Sequence, residues 1–264
     1  MAQLPDVVLV VLDDVGFADL GCFGAEISTP HLDRLAQGGL RFNRFETRAI
    51  CTPSRAALLS GRNPHAIGMA DLPAMCDAQA TGESSSFRGV LPPEIELLPH
   101  SLHARGYRTV ALGKWHLAPE YDGDAGHRES WPLQRGFDEF YGFIGGHTDQ
   151  FRPRLVEGNE RIDAPARSAY HLTEDLVDHA ITALDSSTAP TFVYLATGAA
   201  HSPHQVPEEY RDRYLGRYSH GWDSVRESRL ARQKELGVVP PTTALTDRNP
   251  GDPAWDSLTE QERR

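Results

Sequence analysis

"DVVLVVLDD", residues 6–14, is an unbroken β-branched and leucine run of strand length that ends in two aspartates. A continuous apolar run of that length, without polar alternation, is the pattern of a strand buried on both faces of a parallel sheet. A helix signal follows it. In "TPHLDRLAQGG" Thr29 stands at the N-cap, Pro30 at the first helical position, Leu32, Leu35 and Ala36 share a face, and Gly38-Gly39 closes the segment. The same order recurs. "LPHSLHARGY" (98–107) reads as a short helix closed at Gly106 before the strand "RTVALGKWH". "HLTEDLVDHAITALDSS" reads as a helix capped by Thr173 before the strand "TFVYLATGA". Repeated α–β alternation implies an α/β fold with a mainly parallel sheet and helices on both faces.

The bulk properties agree with one globular chain. At 264 residues, 39% hydrophobic and 24% charged, it has enough material for a substantial core. Its 26 Lys+Arg against 37 Asp+Glu give a net charge of -11, which argues against a nucleic-acid binder. No apolar run approaches the length of a bilayer span, so no membrane association is expected. "MAQLPD" has neither a basic start nor an apolar signal segment, which places the chain in the cytoplasm. Cys22, Cys51 and Cys76 form no CxxC pair, so neither a disulfide framework nor a structural zinc site is expected. Loops rich in polar residues, Gly and Pro occupy 76–93 and 119–132. Beyond 202 one helix is expected near 223–236 in an otherwise polar tail.

In parallel sheets, sites form beyond the carboxyl ends of strands. Asp13 and Asp14, Lys114 and His116, and His201 and His204 all follow apolar runs. Two adjacent carboxylates read either as a solvated turn or as hard oxygen ligands for Ca²⁺ or Mg²⁺, whose charge would relieve their repulsion. Lys114 and His116, two apart in extended chain, point to one face and pair a fixed positive charge with a group that moves protons near neutral pH. Trp115 between them points the other way, into packing. "HSPH" (201–204) reads equally as a loop.

"AICTPSRAALLSGR" (49–62) places Cys51 before a helix with Thr52 as N-cap, Pro53 as first residue and Gly61 as terminator. A helix N-terminus favours oxyanions and thiolates, and Arg55 can turn back toward position 51. Cys51 then reads either as a reactive thiol or as a small buried apolar residue. A plain Cys-His thiol enzyme leaves Asp13 and Asp14 without a purpose.

The run Cys51-Thr52-Pro53-Ser54-Arg55 followed by "AALLSGR" resembles the sulfatase signature, whose cysteine is converted to Cα-formylglycine. "VLVVLDDVGFADLGCFG", "STPHLDRLAQGGLRFNRFE", "GYRTVALGKWHL", "GFDEFYGFIGG" and "HSPH" resemble further landmarks of that family in the same order, and the resemblance covers essentially the whole chain. "GGHTDQFRPRL" and "GWDSVRESRLARQKELGVVP" look like the bacterial aryl/alkylsulfatase branch. The resemblance implies an alkaline-phosphatase-like fold and hydrolysis of a small-molecule sulfate monoester, after maturation by a formylglycine-generating enzyme. It implies Asp13, Asp14 and the oxygen at position 51 as ligands of a divalent cation, Ca²⁺ ahead of Mg²⁺. Arg55 would hold the hydrated aldehyde, Lys114 the sulfate oxygens, His116 would act as base on the second hydroxyl, and His201 would donate to the leaving oxygen. It implies no role for His204.

One departure stands out. The family's later Asp-Asn or Asp-Gln metal ligands and a further sulfate-binding lysine have no match, so the chain resembles an N-terminal part of a sulfatase catalytic domain, incomplete at its C-terminal end. Little activity is expected from it alone. A phosphate- or phosphonate-ester hydrolase of the same superfamily and a non-catalytic remnant are the rival readings.

Overall fold

The apolar runs assemble into one six-stranded sheet in the order β1-β6-β2-β3-β4-β5. The strands are β1 (Val7–Val11), β2 (Arg108–Lys114), β3 (Glu139–Phe143), β4 (Leu155–Glu157), β5 (Glu160–Ile162) and β6 (Thr191–Ala196). This computed structural model describes residues 4–77, 81–119 and 128–263. The expected loop at 119–132 thus lies largely outside the described residues, and that at 76–93 partly so. Among the first four strands every pairing is parallel; β4 and β5 extend the sheet by an antiparallel hairpin. The mainly parallel α/β architecture is the one read from the sequence.

Two compact units form. The first holds the whole sheet and runs up to Asp14 and then from Thr47 to Val206; the second comprises Val15–Glu46 and Pro207–Arg264. In the first unit, helix α4 (Leu172–Asp185) covers one sheet face, where Leu172, Leu176, Ala180 and Ala183 pack with Val110, Leu112, Val193 and Leu195. On the opposite face α2 (Cys51–Ser60) contributes Ala56 and Leu59, and α3 (Leu98–His103) contributes Leu98 and Leu102. Trp115 points into that face as expected, its indole N–H donating to the Ser130 carbonyl at 2.7 Å. β2 and β6 are buried along almost their whole length.

β1 is not buried on both faces. It is an edge strand that pairs with β6, and Val7, Val8 and Val10 are exposed. The apolar run specified a strand but not its number of neighbours. Two caps also differ from expectation. α2 begins at Cys51, with Ile50 as its cap, so Thr52 and Pro53 lie inside the first turn. Proline is tolerated there because the first-turn N–H groups have no intrahelical acceptor. α4 is capped by His171, whose ring nitrogen accepts from the Thr173 N–H, rather than by Thr173. The expected C-terminus of α2 is observed: Gly61 adopts the left-handed φ of 67°.

The second unit holds α1 (Pro30–Gly38), α5 (Glu208–Asp212) and α6 (Gly221–Glu235). Arg229 on α6 grips both carboxylate oxygens of Glu26, at 2.6 and 2.8 Å, and Asp19 at 2.9 Å. Trp222 and Trp255 meet edge to face. Among the described residues no helix is long and apolar enough to cross a membrane.

Candidate active site

The carboxyl ends of β1, β2 and β6 carry polar residues that converge, together with the first turn of α2. Close strand approach sets this up. Gly113 in β2 has φ +93°, and a Cβ there would overlap the Ala196 carbonyl of β6; a Cβ on Gly142 would overlap the backbone of Gly113. Asp13 follows β1 and is tied by its backbone to the segment after β6, its N–H donating to Ala199 at 3.2 Å and its carbonyl accepting from Ala200 at 2.8 Å. This pairing brings Asp14 and His201 to one place, with His201 Nε2 3.8 Å from Asp14 Oδ2.

Asp13 is 3% exposed and bonded to two cations. Its Oδ2 accepts from Lys114 Nζ at 2.6 Å and its Oδ1 from Arg55 at 3.1 Å. Lys114 and Arg55 are 1% and 2% exposed, so two buried cations face one buried carboxylate. The repulsion expected between Asp13 and Asp14 is therefore relieved at Asp13 by Lys114 and Arg55. Besides Asp13, Arg55 reaches two further acceptors. One of its terminal nitrogens donates to the Lys114 carbonyl and to the Tyr194 hydroxyl, each at 3.2 Å, and its Nε is buried without a hydrogen-bond partner among the described residues.

Cys51 Sγ lies 3.2 Å from His116 Nδ1. His116 sits beyond the end of β2, at φ 53°, and its backbone is fixed on both sides: its N–H donates to Ile144 at 2.9 Å and its carbonyl accepts from Thr52 Oγ1 at 3.0 Å. The left-handed turn at His116, rather than strand alternation, aims the ring at Cys51. Burial, then the neighbouring Lys114 and Arg55, and then His201 and His147, push the imidazole down to about 3, so it is neutral at physiological pH. A neutral ring 3.2 Å from position 51 is in reach of a proton there.

His147 was missed in the sequence. Its ring lies parallel to that of His201 with centroids 6.2 Å apart. It follows β3, a strand whose five residues gave no periodic signal, so the strand-end rule had nothing to point from. His204 bonds its own loop at the Ala200 carbonyl and takes no part in the cluster.

The metal implied for Asp13 and Asp14 finds donors of the right kind but too few of them. Ca²⁺ takes six to eight oxygens. Here Asp13 already serves two cations, Asp14 is mostly exposed, and among the described residues no three His, Cys, Asp or Glu side chains are grouped to hold an ion. The described residues alone do not make a complete Ca²⁺ site.

Comparison with known proteins identifies the family. A family model described as Sulfatase matches residues 5–242. An uncharacterized sulfatase of Schizosaccharomyces pombe is 33% identical over 99% of this chain and 50% of its own length. The arylsulfatase of Klebsiella aerogenes is 28% identical over 99% of this chain and 57% of its own. Among solved structures, the crystal structure of Ps i-CgsB superposes with a TM-score of 0.67 at 27% identity, covering 89% of this chain and 56% of that one. The chain thus spans about half the length of the curated relatives it matches.

Proposed function

Because the chain belongs to the sulfatase family, we propose that its polar cluster is the centre for hydrolysis of a sulfate monoester to an alcohol or phenol and sulfate. The observation that carries this is the charge balance at the floor of the site. Among the described residues Lys114 and Arg55 both pair with Asp13, so one of the two buried positive charges has no buried carboxylate of its own, close to the first turn of α2. A sulfate monoester brings one negative charge, and the helix N–H groups add donors for its oxygens.

Roles follow from position. Lys114 binds sulfate oxygens and Arg55 holds the floor, each keeping Asp13 as counter-ion. His116 takes a proton from the group at position 51. His201, on the open side with His147 beside it, gives a proton to the leaving oxygen. Converted to formylglycine by a maturation enzyme, position 51 would supply a hydrated aldehyde, with one hydroxyl for attack on sulfur and one for release of sulfate. Asp13 and Asp14 are the residues that would hold a divalent cation, Ca²⁺ by the hardness of their oxygens; with only two carboxylates described, no step is derived through it. Low turnover by this chain alone is consistent with that donor count. The chain is then the N-terminal part of one catalytic domain, located in the cytoplasm.

The test is recognition of the ester. Phenyl sulfate titrated into the Cys51→Ala chain should shift the His116 and His201 ring resonances saturably, and phenol should not. Absence of any shift with phenyl sulfate would remove the proposal.

A further inference from the structure

Beside the reaction centre lies a cavity of about 440 Å³ that none of these roles uses. It is a half-open cleft where β3 ends and the β4–β5 hairpin folds back, and Ile144, His147, Thr148, Arg154, Arg161 and Asp163 are among its walls. The volume is within the range of small-molecule sites, which is roughly 300–1,000 Å³. Two connections join it to the reaction centre. The Ile144 carbonyl accepts from the His116 N–H, and the His147 ring that borders the cavity lies parallel to His201. With His201 as donor to the leaving oxygen, the alcohol portion of an ester would lie on the side of His201 and hence of His147.

The walls are charged in a specific way. Arg154 and Arg161 are exposed, and among the described residues neither guanidinium has an ion-pair or hydrogen-bond partner. Among the described residues Asp163 is the one carboxylate in the walls, so these walls carry a net positive charge on an acidic chain. Both arginines stand on fixed backbone. The Arg154 N–H donates to buried Thr148 Oγ1 at 2.9 Å, and Arg161 is paired in register with buried Val156. A planar guanidinium with unused donors is the natural partner of a carboxylate.

We propose that this cavity is the subsite for the alcohol portion of the substrate, and that it selects sulfate esters whose alcohol carries a carboxylate, seated on Arg154 and Arg161. The inference rests on the reading of the neighbouring cluster as a sulfate-ester centre, and the experiment separates the two. Calorimetric titration of the Cys51→Ala chain, in which turnover is blocked, uses three probes: phenyl sulfate, a monosulfated disaccharide with one free uronate, and its uronate methyl ester. The free acid should bind roughly tenfold more tightly than the ester, the gain expected from two solvent-facing charge pairs. In Arg154→Gln/Arg161→Gln that ratio should fall to within about twofold, with phenyl sulfate affinity unchanged. Equal binding of acid and ester alongside normal phenyl sulfate binding would overturn the subsite alone, as would a ratio that persists in the double variant. No binding of phenyl sulfate would overturn both readings.

Discussion

Replacing Asp13 by Asn tests the electrostatic floor of the site most severely. The substitution preserves shape but leaves Lys114 and Arg55, both almost wholly buried, without their shared counter-ion. At separations of 2.6 and 3.1 Å, each contact is worth about 5–6 kcal/mol of Coulomb attraction at an effective dielectric near 20, before desolvation is subtracted. Removing one partner of a buried pair costs about 3–5 kcal/mol net, because the orphaned charge stays desolvated. Here two cations are orphaned and repel each other, so the upper end of that range is expected. Lys114→Met should cost much less, about 1–2 kcal/mol, since Asp13 keeps Arg55 and the Met side chain fills the space of the lysine stem. Asp13→Asn/Lys114→Met should be more stable than Asp13→Asn alone, with one uncompensated cation instead of two. Urea denaturation in the presence of a chelator, followed by the fluorescence of buried Trp115 and Trp131, reads the sheet unit. The midpoint should fall by roughly 1.5–2 M for Asp13→Asn and by less than about 1 M for Lys114→Met. If Lys114→Met proves the more damaging, or if the double variant is simply the sum of the singles, the shared-carboxylate account is wrong.

Further perturbations reach other parts of the molecule. Glu26 is held down to about 2 chiefly by its hydrogen bonds from Arg229, against 4.5 unperturbed; the folded value is the lower one. The pair therefore stabilises the second unit fully above about pH 4.5, and that contribution, about 1–2 kcal/mol after solvent screening, is lost as pH falls toward 2; an Arg229→Ala chain should show a flatter acid-unfolding profile over that window. Gly113→Ala forces a Cβ into the Ala196 carbonyl at a left-handed φ and should cost on the order of 4 kcal/mol or more, seen as loss of soluble protein, whereas normal yield and midpoint would show that β2 and β6 do not approach so closely. Val8→Lys, on the exposed edge strand, should change the unfolding midpoint by no more than the equivalent of about 0.5 kcal/mol while lowering light scattering on heating; a large stability loss would mean that Val8 is packed.

The parts of the fold that were legible in the sequence are those in which one physical demand dominates. β2 and β6 lie in the sheet interior, so their residues had to be apolar almost throughout, and their polar ends then pointed to Lys114, His116 and His201. α2 ended where Gly61 supplies a left-handed turn. What was not legible depends on neighbours. An apolar edge strand and an apolar central strand read alike, so the run at β1 does not reveal its exposed edge. The three-residue strands β4 and β5 are too short to show a period, and with them the cavity bearing Arg154 and Arg161 stayed hidden. His116 was placed in the site for an incomplete reason: its backbone leaves the strand at φ 53°, and that turn delivers the ring to Cys51. The bond from Arg55 to buried Asp13 is likewise not legible, because it joins residues 42 positions apart.

On the proposed function Cys51 is a precursor rather than a working thiol, placed against His116 close to two buried cations. The most direct measurement is the mass of the tryptic peptide spanning Ala49 to Arg55, from chain co-expressed with a formylglycine-generating enzyme. Oxidation of the thiol to the aldehyde exchanges sulfur and two hydrogens for oxygen, so the peptide should be lighter by about 18 Da. A peptide of unchanged mass, with a thiol still open to alkylation, would contradict the account.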